Sequence, residues 1–326
     1  MSTFPNRRLR RLRKNEKIRE LVQETRLSSK DFICPVFVQE DLKKSVKIES
    51  MPEIERFPLD GVNDEVGRII DLEIPAIMLF GIPSSKDDIG SSAFNDNGIV
   101  QKAIIQIRKN FGEKIAIMAD VCLCQYTKSG HCGIIKENKI DNDSSNEILA
   151  KIAVSQAKAG VDLVSPSAMM DGQVITIRKA LDDAGLSDVA IMSHSAKHRS
   201  SFYSPFRDAA ECAPQFGDRK TYQIPFSNAR EAIREVEMDV NEGVDIVMIK
   251  PALAYLDLIA ETKKQFNVPV AAYSVSGEYA LVKGAAKQGW IQENDVLTEI
   301  LYSIKRAGAD MIVTYFAKSA AKIING

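Results

Sequence analysis

Eight short apolar runs, rich in β-branched residues, recur along the chain with longer amphipathic stretches between them. They span residues 32–38, 76–80, 115–119, 161–164, 189–192, 244–249, 268–272 and 311–313. The runs lack the polar–apolar alternation of a strand with one wet face, so they read as strands buried on both faces, which is the habit of parallel sheets. The stretches 97–109, 146–159, 174–184, 228–241, 255–265 and 295–307 carry helical periodicity instead. Three of them close on a glycine that leads straight into the next run: Ala159-Gly160-Val161-Asp162, Glu242-Gly243-Val244-Asp245 and Ala307-Gly308-Ala309-Asp310. Glycine there suits the left-handed residue that ends a helix. Eight strand–helix units predict an α/β fold, a (β/α)8 TIM barrel over residues 29–326, with an extended N-terminal arm over residues 1–28. A doubly wound open sheet is the alternative, but no Gly-x-Gly-x-x-Gly follows any run.

A barrel of this kind concentrates its chemistry where strands end. The third run is followed by Asp120, Cys122 and Cys124, and the fifth by His194, Ser195 and Lys197. Lys250 ends the sixth, Ser274 and Ser276 follow the seventh, and Tyr315 follows the last. An ammonium group at the end of an apolar strand is costly unless the site uses it. On neighbouring strands, about 5 Å apart, Lys197 and Lys250 would repel. At about 6 Å and an effective dielectric near 20 the repulsion is about 3 kcal/mol. That is roughly two pKa units in the direction that frees one amine at neutral pH. A neutral lysine there is a Schiff-base nucleophile for a ketone. The plainer reading is a pair of lysines snorkelling to solvent from strand ends.

Five cysteines are present, and Cys122, Cys124 and Cys132 fall within eleven positions. In a reducing compartment such clustering points to metal rather than disulfides. Three thiolates suit zinc, and three protein ligands with the fourth position open make a Lewis-acid site. His131, adjacent to Cys132, is then expected beside the ligands rather than among them. Three buried core cysteines are the alternative.

About thirty residues separate Lys197 from Asn228, and unstructured connections that long are usually functional. This one carries the aromatic segment 202–206, followed by Arg207 and Arg219. The two arginines could clamp a substrate carboxylate while the aromatics exclude water. A solvated charged loop is the bland alternative.

The run Arg7-Arg-Leu-Arg-Arg-Leu-Arg-Lys14 invites a nucleic-acid or membrane reading. However, Glu16, Glu20 and Glu24 offset it locally, no aromatics interleave, and the net charge is -1. We expect an arm crossing a neighbouring subunit, with no nucleic acid and no membrane partner. No apolar stretch reaches the length of a membrane span and no apolar leader segment is visible, so a cytoplasmic protein is expected.

Taken together, these motifs identify a resemblance. The segments Ala119-Asp-Val-Cys-Leu-Cys-Gln-Tyr-Thr, Gly130-His-Cys-Gly, Pro166-Ser-Ala-Met-Met-Asp-Gly and Ser195-Ala-Lys resemble the porphobilinogen synthase (5-aminolaevulinate dehydratase) family. So do Ser201-Phe-Tyr-Ser-Pro-Phe-Arg-Asp-Ala-Ala, Met248-Ile-Lys-Pro-Ala, Val275-Ser-Gly-Glu and Lys305-Arg-Ala-Gly-Ala-Asp. The resemblance covers nearly the whole chain. It implies condensation of two molecules of 5-aminolaevulinate into porphobilinogen in tetrapyrrole (haem) biosynthesis, by a homo-oligomer, usually an octamer. By position, it makes Lys250 the Schiff-base lysine of one substrate and Lys197 its partner. Cys122, Cys124 and Cys132 match the zinc ligands of the zinc-dependent branch. Arg207, Arg219 and Gln223 match the groups that hold one substrate, and Ser276 and Tyr315 match those that bind the other's carboxylate. Glu235 falls where many members hold an allosteric magnesium.

A class I aldolase on the same fold is the nearest rival. It needs one Schiff-base lysine and usually a phosphate loop after the seventh or eighth strand, where Glu278 would repel a phosphate. It leaves the cysteine triad unexplained. A non-catalytic zinc protein binding nucleic acid through its arm is the second rival. The near-neutral charge and the paired lysines speak against it.

Overall fold

A computed structural model of the chain describes residues 6–326. Its barrel strands are β1 (Phe32–Gln39), β2 (Ala76–Ile82), β3 (Ala116–Val121), β4 (Leu163–Pro166), β5 (Ala190–Lys197), β6 (Ile246–Lys250), β7 (Val270–Ser274) and β8 (Met311–Thr314). Consecutive strands pair in parallel. β8 returns to β1 through Phe32↔Ile312 and Ile33↔Val313, so the sheet closes. This is the predicted (β/α)8 barrel. The strands are buried almost throughout, as their unbroken apolar runs require.

The three glycine-to-strand junctions share a device at the foot of the barrel. Gly160, Gly243 and Gly308 all have positive φ, near 104°, 91° and 119°. Two residues on, Asp162, Asp245 and Asp310 each accept a hydrogen bond at 2.7 Å from an amide at the start of the preceding strand, the second residue at Ile117 and Ile191 and the first at Val270. The aspartates thus act as side-chain rungs below the ladder. This is why β4 and β6 begin at Leu163 and Ile246, two residues later than the apolar runs suggest.

β5 extends five residues past its predicted end, through Ser193-His194-Ser195-Ala196 to Lys197. The polar residues disguise it in the sequence, yet all are buried; the Ser195 hydroxyl donates to the Ser193 carbonyl at 3.3 Å, the Gln173 amide donates to Ser193 Oγ at 3.4 Å, and the helix Ala229–Asn241 packs over the strand. Helices Val62–Asp71, Ser276–Lys287 and Ala317–Asn325 were not legible as such. The long connection after Lys197 is also more ordered than expected, with a short helix at Ser204–Ala209.

In the arm, residues 1–5 lie outside the described residues. Leu9–Arg13 and Glu16–Leu21 form two short helical segments with no buried residue. Leu9, Leu12 and Leu21 are 68%, 56% and 81% exposed. No helix among the described residues is long and apolar enough to cross a membrane.

Candidate active site

Lys197 and Lys250 end β5 and β6 as direct register partners. Neither snorkels, since they are only 5% and 6% exposed. Lys197 Nζ donates to the Ser167 carbonyl at the end of β4. Lys250 Nζ lies 4.0 Å from the Tyr273 ring centre, with Phe206 and Tyr203 at 5.4 and 5.6 Å. Burial among these rings pushes the Lys250 amine down to about 7, with the charge of Lys197 as the second cause. The sequence argument had the direction right and the main cause wrong: desolvation outweighs repulsion.

The thiols stand beside the lysines. Cys122, Cys124 and Cys132 are buried, their sulfurs all within 4.8 Å of one another, and Cys122 Sγ lies 3.4 Å from Cys124 Sγ. Hydrogen bonds from the other two thiols hold Cys132 well below the ordinary thiol value, helped by the charges of Arg219 and Lys197. This donor set fits zinc: soft, convergent and dry, with one thiol, Cys132, already held toward thiolate while Cys122 and Cys124 are pushed up. Among the described residues no other group of three His, Cys, Asp or Glu side chains converges in this way. His131 is not a fourth donor. Its ring nitrogens are engaged at 3.0 Å by the Tyr222 hydroxyl and the Phe216 carbonyl.

The segment after Lys197 folds over both features. Phe206 packs its ring 5.2 Å from Phe80, and the Tyr203 hydroxyl donates to the Lys250 carbonyl at 3.1 Å. Ser276 Oγ accepts from the Phe206 amide at 3.0 Å and donates to the Phe202 carbonyl at 3.2 Å, which ties the end of β7 to this lid. Gly277 makes the approach possible, because a Cβ there would lie 2.5 Å from the Phe202 backbone. Beneath the lid is a small cavity bordered by both lysines, Asp120, Cys124, Arg219, Tyr273, Ser276 and Tyr315. Tyr315 and Tyr273 share a hydroxyl–hydroxyl bond of 3.1 Å.

Arg219 is buried, and its Nη2 bonds the carbonyls of Gly130 and Cys212 at 3.0 and 2.8 Å. The Nε atoms of Arg219 and Arg207, and both ends of the Gln223 amide, are buried without a hydrogen-bond partner among the described residues. Orphaned donors of this kind cost about 1–3 kcal/mol each when nothing meets them. Arg219 borders the cavity beneath the lid, Gln223 lines the wider cavity beyond the segment 216–225, and Arg207 borders neither, so the structure does not bring the three onto one cavity.

Glu235 lies apart from the lysines, on a wider cavity of about 830 Å³ beyond the segment 216–225, with Asp171 and Glu231. Burial, then the nearby acids led by Asp171, pushes its carboxyl up to about 7. Glu278 is not placed to meet a ligand. Its carboxylate is spent on the amides of Val275, Ala252 and Leu253.

Sequence reading missed Tyr273, whose ring lies against Lys250, and Cys212, wholly buried where its carbonyl meets Arg219. Their signals were weak: Tyr273 sits inside an apolar strand, and Cys212 stands alone in the lid.

Comparison with known proteins bears on this arrangement. The model of the family described as "Delta-aminolevulinic acid dehydratase" matches residues 6–323. This chain belongs to that family. It is 52% identical over 315 residues to the delta-aminolevulinic acid dehydratase of Bacillus subtilis, with 97% of each chain covered. It is 52% identical over 322 residues to that of Archaeoglobus fulgidus, with 99% of each covered. A crystal structure of the Toxoplasma gondii enzyme in complex with the reaction product porphobilinogen superposes with a TM-score of 0.95 at 43% identity, covering 97% of this chain and 91% of that one. The resemblance read from the motifs holds, as do the barrel and the assignment to the porphobilinogen synthase enzymes.

Proposed function

We propose that this chain condenses two molecules of 5-aminolaevulinate into porphobilinogen, with loss of water, through Schiff-base chemistry at Lys250. One observation carries the reading: a buried lysine whose amine is half neutral near pH 7, enclosed by aromatic rings, with a second lysine in register beside it. A neutral amine attacks the ketone of the first substrate. The resulting iminium withdraws electrons and makes the adjacent carbon acidic. Lys197 serves the second ketone by the same imine chemistry. The carbanion equivalent of one substrate attacks the imine carbon of the other; the remaining free amine then attacks the second imine carbon and expels its lysine, and the first lysine leaves as an amine while the ring loses protons to become the pyrrole.

Two identical molecules must be told apart by their surroundings. The unmatched Nε atoms of Arg207 and Arg219, with Gln223, suit the carboxylate and polar groups of one. The Ser276 and Tyr315 hydroxyls suit the carboxylate of the other. Cys122, Cys124 and Cys132 would hold zinc, which when bound supplies Lewis-acid polarisation of a substrate oxygen. Around it, the charge of Arg219 helps hold Cys132 toward thiolate and the closed lid excludes water.

Glu235 is the proposed place of a regulatory magnesium, supported by the nearby acids Asp171 and Glu231 on the same cavity, although the three carboxylates do not converge on one point as the thiols do. The exposed leucines and arginines of the arm, residues 1–28, suit a neighbouring subunit in a homo-oligomer, an octamer by family habit. The protein is proposed to act in the cytoplasm.

The test is incubation with 5-aminolaevulinate, borohydride reduction and peptide mapping, beside a product assay. Adduct on Lys250 with pyrrole formed supports the reading. Pyrrole formed with no adduct on either lysine removes the Schiff-base mechanism, and an adduct without pyrrole favours the aldolase alternative.

A further inference from the structure

The lid is held from outside as well as from within. Its near end is pinned at Phe202 and Phe206 by Ser276, and its far end is tied to the cysteine loop, where the Gln215 amide donates to the Ser129 carbonyl at 2.9 Å and Arg219 reaches Gly130. The middle, residues 208–211, is gripped by side chains from segments that the chemistry does not use. Ser50 Oγ donates to the Asp208 carboxylate, and Lys86 Nζ donates to the Glu211 carbonyl. Arg56 makes the central contacts. Its Nη2 donates to the Asp208 carbonyl at 2.7 Å and its Nη1 to the Glu211 carboxylate.

Arg56 is itself fixed to the barrel. It sits on a short strand, Glu55–Phe57, that pairs in parallel with β1, opposite Phe37. Its Nη1 also donates to Gln39 Oε1, at the end of β1, at 3.2 Å. The Arg56 side chain is 15% exposed and that of Glu211 44%, so the guanidinium is the rigid half of the pair and the carboxylate the movable half. Phe37 lies 5.9 Å from the Phe206 ring. One stretch of β1 therefore supports both the apolar seal over Lys250 and the polar grip beside it. Glu211 has φ near 49°, left-handed for a residue with a Cβ. Such a backbone persists only where its surroundings hold it, and here both the carboxylate and the carbonyl are held.

We propose that Arg56 is the latch of the lid, a positioning residue that keeps the helix Ser204–Ala209 docked, with Phe206 over Lys250, and releases it when substrate enters. The inference rests on reading this segment as the lid of the substrate site. Lys250 is only 6% exposed, so a ketone reaches it only when the lid moves. The contacts at the middle are charged and partly open to water, so solvent replaces them at small cost and salt weakens them. At the near end the Phe202 backbone is packed against Gly277, with no such substitute. Opening therefore starts at 208–211 and frees Phe206 next, while closure re-forms the contacts to Arg56.

The experiment compares the full-length parent with Arg56→Met by hydrogen exchange read by mass spectrometry. Peptides spanning 204–212 are expected to exchange at least about tenfold faster in R56M, with the barrel strands unmoved. KM for 5-aminolaevulinate should rise about fivefold or more while kcat stays within about twofold. The parent's KM should also climb with sodium chloride, and that of R56M should not. Unchanged exchange over 204–212 overturns the latch. Faster exchange spread through the barrel also overturns it, since Arg56 would then belong to the scaffold. Glu211→Gln removes the movable carboxylate and leaves Arg56 on Gln39; it is expected to loosen the same peptides, and it decides the matter if R56M fails to fold. Faster exchange over 204–212 with an unmoved KM would uphold the latch and overturn the reading of this segment as the substrate's lid.

Discussion

Lys197 stands opposite Lys250 because β5 carries one residue more than β6. From Met192 to Lys197 is five steps, while from its partner Ile246 to Lys250 is four, and the register shifts between Val247 and Ile249. Side chains alternate along a strand, so an unbulged β5 would set Ala196 against Lys250 and turn Lys197 to the other face. The bulge brings both lysines to one end of one cavity. Replacing Lys197 by Met therefore does two things. It removes the second amine, and it lifts the Lys250 amine by taking away a neighbouring charge. The pH midpoint of borohydride trapping on Lys250 is expected to rise by roughly one unit. An unmoved midpoint would show that the two heads do not sense each other.

The parent enzyme has its own pH signature. Lys250 is pushed down to about 7 from its usual 10.5, so it is protonated below about 7 and neutral above. Imine formation needs the neutral amine. Adduct formation at Lys250 should therefore increase as pH rises through about 7 and level off above it. The linkage has the same sign: between about 7 and 10.5 the unfolded chain binds a proton that the folded chain lacks, so this group's share of stability grows with pH in that window. Trapping measured from pH 5 to 9 that stays flat, or falls, sinks the assignment.

The two arginines should separate in their effects. Arg219→Ala breaks two buried hydrogen bonds from a charged donor, at Gly130 and Cys212. Loss of about 1.5–3 kcal/mol of stability is expected for each, visible in thermal unfolding, together with weaker substrate binding. Arg207 is half-buried and its Nε has no partner to lose. Arg207→Ala should leave the melting temperature within a degree or two and raise KM by about tenfold or more. Equal melting losses with no change in KM for Arg207→Ala would place it in the scaffold instead.

Removal of metal is the direct test of the cysteine triad. Dialysis against a chelator should abolish pyrrole formation, and zinc alone should restore it. Cys132→Ser should lower zinc affinity by at least about a hundredfold while the barrel stays folded by circular dichroism. Full activity in protein shown by elemental analysis to be metal-free would falsify a catalytic role for the cluster.

Gly277 tests the lid. A methyl group there meets the Phe202 backbone at 2.5 Å, and backbone cannot swing aside as a side chain can. Gly277→Ala should cost about 1–3 kcal/mol, or push the 201–209 segment off Ser276. Either outcome reduces turnover, and unchanged melting with unchanged turnover would mean that the lid does not need this contact.

The lysines, the three clustered cysteines and the eight strands were legible in the sequence because each leaves a local mark. Apolar β-branched runs announce buried strands, thiols at short spacing announce a ligand set, and a lysine after such a run has no cheap place to go. The full length of β5 was not legible. Ser193, His194 and Ser195 look like a loop until the helix Ala229–Asn241, distant in sequence, packs over the strand and buries them. Nor was the placement of Cys212 legible. Its burial is decided only when the Arg219 guanidinium bonds its carbonyl and the Arg207 carbonyl accepts its amide.

The sequence alone determined the barrel and the chemical kinds of group at its mouth, because hydrophobic periodicity and residue chemistry are local properties. Tertiary structure decided which face each group shows, through a single-residue bulge, and what each costs there. Lys250 owes its near-neutral amine first to burial against Tyr273 and its neighbours, and only then to Lys197. Burial is a property of the packed molecule, and no spacing in the chain records it.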